Sequence, residues 1–452
     1  MLHGAPLGMK SVTDGLKDTG LTYTCLPVQG IPRRQWFPSS ARIDACLARD
    51  FRMKYCLLLY SILLSASVQA ATTQTWSLPA PANAAQPNLS QAPDGGVVLS
   101  WMQRMPTGGH RLQMSHYSML AKWSTPATIA QGKNFFVNWA DFPATQYLAD
   151  GSLWAHNLEK SGVGTYAYDV ILRRSNDKGK TWSAPMRINA PVEAEHGFVS
   201  LWPWSKNELG VAWLDAGATP AMKEMSDHEH GGSMMTLRAA VVNEKMQSTQ
   251  EWPLDVSVCD CCQTKTALSS RGPVVVYRNR TENEIRDIYT TRYDGKRWTP
   301  PVRVHVDDWK MPACPVNGPA ITALQDKVWV AWFTAAQQPA VRIAYSKNAA
   351  DSFEPMREIA TQNVQGRVDI LADNDSVWLS WMEEKNGTQK VWLAQYSHDL
   401  KTEKQRFSLP SVIGNGRATG FPRMAVMKHK IHMVWTDIVG GKPQLRGIIV
   451  TP

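Results

Sequence analysis

A short apolar run that closes on an aromatic residue recurs seven times along the chain. Its copies include Val97-Val98-Leu99-Ser100-Trp101, Val328-Trp329-Val330-Ala331-Trp332 and Val377-Trp378-Leu379-Ser380-Trp381. The aromatic ends (Trp101, Trp154, Trp213, Tyr277, Trp332, Trp381 and Trp435) stand 53, 59, 64, 55, 49 and 54 residues apart. A period near fifty residues, with several β-rich runs in each period, describes four-stranded blades set around an axis. A pair of β-sandwiches is an alternative, and the regular spacing weighs against it. A further turn, Trp-Ser/Thr-x-Pro, follows the third run of several units, as at Trp123-Ser124-Thr125-Pro126, Trp182-Ser183-Ala184-Pro185 and Trp298-Thr299-Pro300-Pro301. The seventh unit ends at Gly447-Ile448-Ile449-Val450, before any fourth strand, whereas Trp76-Ser77-Leu78-Pro79 stands alone near the other end. The expectation is therefore an all-β propeller of seven four-stranded blades, with an N-terminal strand completing the last blade and removing the exposed edge. A six-bladed ring, with one unit misread, is the alternative. With 43% hydrophobic residues and 19 Trp, the chain has the apolar surface for such a core.

One turn is more specific. Ser175-Asn176-Asp177-Lys178-Gly179-Lys180-Thr181-Trp182 matches the pattern S-x-D-x-G-x-T-W at every fixed position. In such a hairpin the Asp caps backbone N–H groups, the Gly takes a positive φ and the Trp packs beneath. Weaker copies stand at Ser346-Lys347-Asn348-Ala349-Ala350-Asp351-Ser352-Phe353 and at Tyr293-Asp294-Gly295-Lys296-Arg297-Trp298. On these residues the chain resembles the sialidase-like, Asp-box (BNR) repeat superfamily over nearly all of residues 71–452. The resemblance implies a propeller in which Ser175, Asp177, Gly179, Thr181 and Trp182 are structural residues at a blade rim. It does not by itself carry an activity.

The region before the repeats reads as a leader. Met53-Lys54 precedes an apolar run, Leu57 to Ala66, and small residues Val68 and Ala70 follow. That is the layout of a secretory signal over 53–70, with cleavage expected after Ala70. The run is too short for a membrane-spanning helix, which needs about 20 residues. Residues 1–52 are read as an upstream extension or a start placed too early, with Met53 as initiator. The expected location is periplasmic or secreted, with no integral membrane span after cleavage. The formal charge of +9 includes the basic leader, and no basic run interleaved with aromatics appears, so nucleic acid is not an expected partner.

Propeller geometry collects remote segments at one mouth of the channel. The segments leading into the innermost strands, and the loops between second and third strands, open on the same face. The first set contains Asn138 and Asp141, Glu195 and His196, Cys259-Asp260-Cys261-Cys262, Cys314 with Asn317, Arg367 with Asp369, and Arg423. The second set adds His156, the stretch from Asp215 to Met235, and Arg278, Arg280, Glu284, Arg286 and Asp287. In an exported protein, Cys259, Cys261, Cys262 and Cys314 point to two disulfides, one joining Cys261 or Cys259 to Cys314. Three pairings are open, and the adjacent Cys261 and Cys262 pair poorly with each other. The alternative is a thiolate site for copper or zinc. His228 and His230, with Met222, Met225, Met234 and Met235 in the same loop, add soft ligands that suit Cu(I).

The family resemblance also implies a test for hydrolysis. Sialidases grip a carboxylate with three Arg, use a Tyr–Glu pair as nucleophile and an Asp for the proton. The matching rim residues are Arg278, Arg367 and Arg423, with Asp141 as the acid and Glu195 as a partner. Arg280, Glu284, Arg286, Asp287, Asn317 and Asp369 complete the expected ligand-binding set, or tie adjacent blades as ion pairs. The family's F-R-I-P start is absent, and the nearest sequence is Phe421-Pro422-Arg423-Met424. No Tyr nucleophile is assigned. The expected function is therefore binding of a small anionic ligand, a glycan or a metal at the mouth, without hydrolysis. An exo-α-sialidase-type glycosidase is the alternative, and a protein partner docked on one face is a third possibility.

Overall fold

The structure, a computed structural model, describes residues 71–217, 235–409, 414 and 416–452. The expected leader, residues 1–52, and His228 and His230 lie outside the described residues. Seven four-stranded antiparallel sheets make up the described chain, six of them meanders in sequence order and the seventh completed by the N-terminal strand. The innermost strands are Ala84–Gln91, Thr145–Tyr147, His196–Pro203, Lys265–Ser269, Ala320–Leu324, Val364–Ala372 and Gly420–Met427, numbered here as blades one to seven. The arrangement is the expected seven-bladed propeller. Among the described residues, no helix is long and apolar enough to cross a membrane.

The second strand of each blade is buried on both faces, and this explains its apolar runs. Successive side chains of a strand point to opposite sides. In blade one, Val97, Leu99 and Trp101 pack with Ala425, Met427 and Val434 of blade seven. The alternate residues Val98 and Met102 pack with Leu153 and Ala155 of blade two. Each blade is thus a layer between two neighbours.

The last blade closes as expected, with one difference. Thr72–Thr75 pairs with Lys442–Thr451, from Thr72 opposite Thr451 to Thr75 opposite Ile448. The closing strand precedes Trp76-Ser77-Leu78-Pro79, whereas in blades one and two the Trp-Ser-x-Pro turn leads into the outer strand. Trp76 continues the pairing, donating its backbone N–H to Gly447 O. Its ring is buried, stacked on Trp123 at 5.0 Å and edge-on to Tyr117 at 5.1 Å.

Register corrects one repeat assignment. Leu153 pairs with Ser175, as Val328 pairs with Ser346, and each of these serines opens an Asp-box turn. Trp154 therefore corresponds to Trp329, and the place held by Trp332 in blade five is held by Asn157 in blade two.

The Asp box has the expected geometry. Asp177 Oδ1 accepts the Thr181 N–H at 2.9 Å, and Oδ2 accepts the Thr181 hydroxyl at 2.6 Å. Ser175 Oγ accepts the buried Gly179 N–H at 2.8 Å, and the Trp182 indole donates to Gly179 O. Gly179 has φ +85°, and a side chain there would meet Met114 Sδ at 2.8 Å. The bonds to Asp177, the Thr181 hydroxyl foremost, hold its carboxyl down to about 2.

Candidate functional site

The inner strands of blades one, three, six and seven each carry a register shift near the mouth. A residue with positive φ sits in each shift: Gln86, Phe198, Arg367 and Phe421. A bulge bends the strand and re-aims the residues after it. In these blades the residue two positions later, Asn88, Ser200, Asp369 or Arg423, lines the central channel. Lys265 takes the equivalent place in blade four, opposite Val276, just before Tyr277. The channel holds a cavity of about 300 Å³ whose wall includes Asp141, Phe142, Gln263, Lys265, Asp369 and Arg423.

Three charges meet there. Lys265 Nζ is paired with Asp369 Oδ1, and Asp369 Oδ2 accepts the Met424 N–H at 2.9 Å. The Arg423 guanidinium lies over the Phe142 ring, 4.6 Å from its centroid. Its Nε is buried, and among the described residues no acceptor lies within hydrogen-bond distance. The other two arginines of the expected carboxylate grip are occupied by the backbone. Arg278, fully buried, donates to the carbonyls of Arg286, Asn317 and Phe333. Arg367 donates to Thr419 O and Gly416 O and lies over the rings of Phe421 and Trp139. The three guanidinium groups share no acceptor among the described residues.

An acidic cluster adjoins the cavity. Tyr168, at the start of the third strand of blade two, donates its hydroxyl to Glu195 Oε1 at 2.9 Å. Asp141 is buried and accepts the Phe198 N–H at 2.7 Å. Burial pushes the Asp141 carboxyl up to about 7 against that one hydrogen bond. Burial also brings the half-buried Glu195 up to about 7, against the Tyr168 bond. Gly197 makes room for both groups, because a Cβ there would lie 2.2 Å from Asp141 Oδ2 and 3.2 Å from the Tyr168 oxygen. Tyr168 itself is 0% exposed, stacked on Phe136 at 3.8 Å.

The remaining expected residues divide into ties and sulfur. Asn317 accepts the Arg367 N–H at 2.8 Å and donates to Gln365 O, joining blades five and six. Asp287 accepts three backbone N–H groups, from Asp307, Asp308 and Trp309, and pairs with Arg303. Glu284 bridges Arg280 at 2.7 Å and Arg286 at 3.0 Å. Cys261 and Cys314 form a disulfide, one of the pairings left open by the sequence. Cys259 and Cys262 are free and buried, with sulfurs 2.7 Å apart. The sulfurs of Cys259, Cys261 and Cys262 lie within 4.8 Å of one another, but Cys261 is taken by the disulfide, which leaves two free thiols in place of the second disulfide expected. Sequence reasoning did not find Tyr168, Lys265, Gln263 or Gly197. Lys265 was within reach, since it sits opposite the residue before an aromatic end, as Asp369 and Arg423 do.

No family model matches the sequence, and no curated protein matches it. Solved structures do match in fold. The BP39L lectin from Burkholderia pseudomallei aligns over 82% of this chain and 100% of its own, at 12% identity and a TM-score of 0.53. A protein of unknown function from Dyadobacter fermentans aligns over 85% and 99%, at 14% identity and a TM-score of 0.50. The NanB sialidase from Streptococcus pneumoniae aligns over 84% and 70%, at 10% identity and a TM-score of 0.45. At these identities the likeness is one of fold alone.

Proposed function

We propose that this chain is an exported sialidase-like propeller that holds a small anionic ligand, of the acidic-sugar class, in its central channel and does not hydrolyse it. One observation carries the reading: Arg423 lines the cavity, and its buried Nε has no acceptor among the described residues. A buried cation without a partner is costly, and a ligand carboxylate removes that cost. The planar guanidinium fork matches a carboxylate in bidentate fashion. Phe142 supplies a flat apolar floor, and Lys265 lines the same wall, paired with Asp369. The volume lies at the small end of ligand sites, suited to one sugar ring rather than a chain. The leader and the Cys261–Cys314 disulfide support export.

Two features speak against hydrolysis. The Tyr168 phenol is sealed from solvent, and Arg278 and Arg367 already serve backbone carbonyls. The Tyr168–Glu195 bond, with Asp141 beside it, favours the second reading, an exo-α-sialidase-type enzyme. Calorimetry with N-acetylneuraminate and turnover of a fluorogenic sialoside separate the two. The expectation is binding by the unmodified protein, at least ~10-fold weaker in Arg423→Ala, which is about 1.4 kcal/mol, with no fluorophore released. Turnover that disappears in Tyr168→Phe establishes the enzyme instead. Equal affinity in Arg423→Ala overturns the binding site.

A further inference from the structure

The four sulfurs at the start of blades four and five form a cluster that runs from exposed to buried. Cys314 is exposed, Cys261 is 8% exposed, and Cys259 and Cys262 are 1% exposed. Cys314 is bonded to Cys261, whose sulfur lies 3.9 Å from Cys259 Sγ, and Cys259 lies 2.7 Å from Cys262. Arg286 aims a guanidinium N–H at Cys259 Sγ from 3.3 Å while also holding Asp260 at 3.0 Å. A structural thiol has no need of a buried cation, whereas a thiolate does.

We propose that these residues are a thiol–disulfide relay: the buried Cys259/Cys262 dithiol reduces external disulfides through exposed Cys314. In the first step the Cys259 thiolate attacks Cys261 Sγ. The Cys259–Cys261 bond forms, the Cys261–Cys314 bond breaks, and Cys314 leaves as thiolate. Cys262 then gives up its proton and attacks Cys259 Sγ, forming Cys259–Cys262 and expelling Cys261, which takes a proton. The disulfide has moved inward with no net electron change. Cys314 next attacks a low-molecular-weight disulfide, releasing one thiol and forming a mixed disulfide. Cys261 resolves that bond, releases the second thiol and restores Cys261–Cys314. Two electrons and the Cys262 proton pass from the buried pair to the external disulfide, and the second released thiolate takes its proton from water. The attacking group is suited to this. Cys259 Sγ stands 3.9 Å from Cys261 Sγ and takes the Arg286 guanidinium contact, so Cys259 is the nucleophile of the pair. Exchange rates follow thiolate fraction and access in this way.

The test starts from protein reduced until Cys261–Cys314 is its one disulfide among these four cysteines. Oxidised glutathione is added, samples are quenched with N-ethylmaleimide, and the peptides are mapped by mass. The relay predicts glutathione transiently on Cys314, two glutathione released per chain, and Cys259 and Cys262 joined at the end. Cys259→Ser should cut the rate at least ~10-fold, and Arg286→Lys should slow it while the melting temperature stays close to that of the unmodified protein. Glutathione found first on Cys259 or Cys262, an unchanged rate in Cys259→Ser, or four sulfurs unreactive because they hold a bound metal ion would each overturn the proposal.

Discussion

Asp141 links the channel to the pH dependence of folding. Its carboxyl titrates near 3.8 in the unfolded chain and near 7 when buried beside Phe198. The folded state therefore keeps a proton that the unfolded state releases, and stability falls as pH rises from about 4 to about 7, then levels off. At ~1.4 kcal/mol per unit, the full effect is on the order of 4 kcal/mol. Asp141→Asn keeps an acceptor for the Phe198 N–H and removes the charge. Urea unfolding of both proteins at pH 4.5 and pH 8 should show the variant gaining on the original as pH rises. Parallel curves would mean that Asp141 is solvated. Gly197 offers a second test, since Gly197→Ala must push a methyl into Asp141 and Tyr168. Overpacking of this kind costs roughly 1–3 kcal/mol, and the acidic cluster beside the cavity should lose its arrangement with it.

Turn chemistry was legible where residues keep their types and only partly where they drift. The weak copy at Ser346 is a working Asp box. Asn348 Oδ1 accepts the Ser352 N–H at 3.0 Å, and Ser346 Oγ accepts the Ala350 N–H at 2.9 Å. Ala349 and Ala350 hold positive φ where Lys178 and Gly179 do. A further turn, Ser397 to Thr402, uses Asp399 to accept Ser397 Oγ and the Lys401 N–H, and no fixed pattern announced it. Because Ser175 and Ser346 are both buried and make the same bond, Ser175→Ala and Ser346→Ala should each cost about 1–3 kcal/mol in urea unfolding. A free substitution at Ser346 would show that the weaker box contributes nothing. The misread unit has a physical cause too. Blades five and six carry Trp at both the second and fifth places of the run, and burial on both faces removes the alternation that would fix register. Blade two keeps only the second Trp, so its aromatic was counted three residues early.

At the scale of the ring, blade number and closure followed from periodicity, because four-stranded blades of similar length are the only units that this spacing builds. Of the inward-facing set, Asp369 and Arg423 were expected but Asn88 and Ser200 were not, because bulges at Gln86, Phe198, Arg367 and Phe421 decide it, and in blades one and three the bulged residue itself gives no sign of its positive φ. The Tyr168–Glu195 bond joins the third strand of blade two to the segment leading into blade three, a contact that only the folded ring brings about. Closure rests on Thr72–Thr75 and the Trp76 stack. Trp76→Ala should cost about 3–5 kcal/mol and loosen the outer edge of blade seven, so light scattering should detect larger species on warming. A variant that melts like the original and stays monodisperse would place the closure elsewhere. The ring's claim on function is most directly tested by a crystal structure with N-acetylneuraminate at millimolar concentration. The account predicts its carboxylate within hydrogen-bond distance of Arg423, inside the channel and above Phe142. Sugar bound at another surface with the channel holding only water would contradict it.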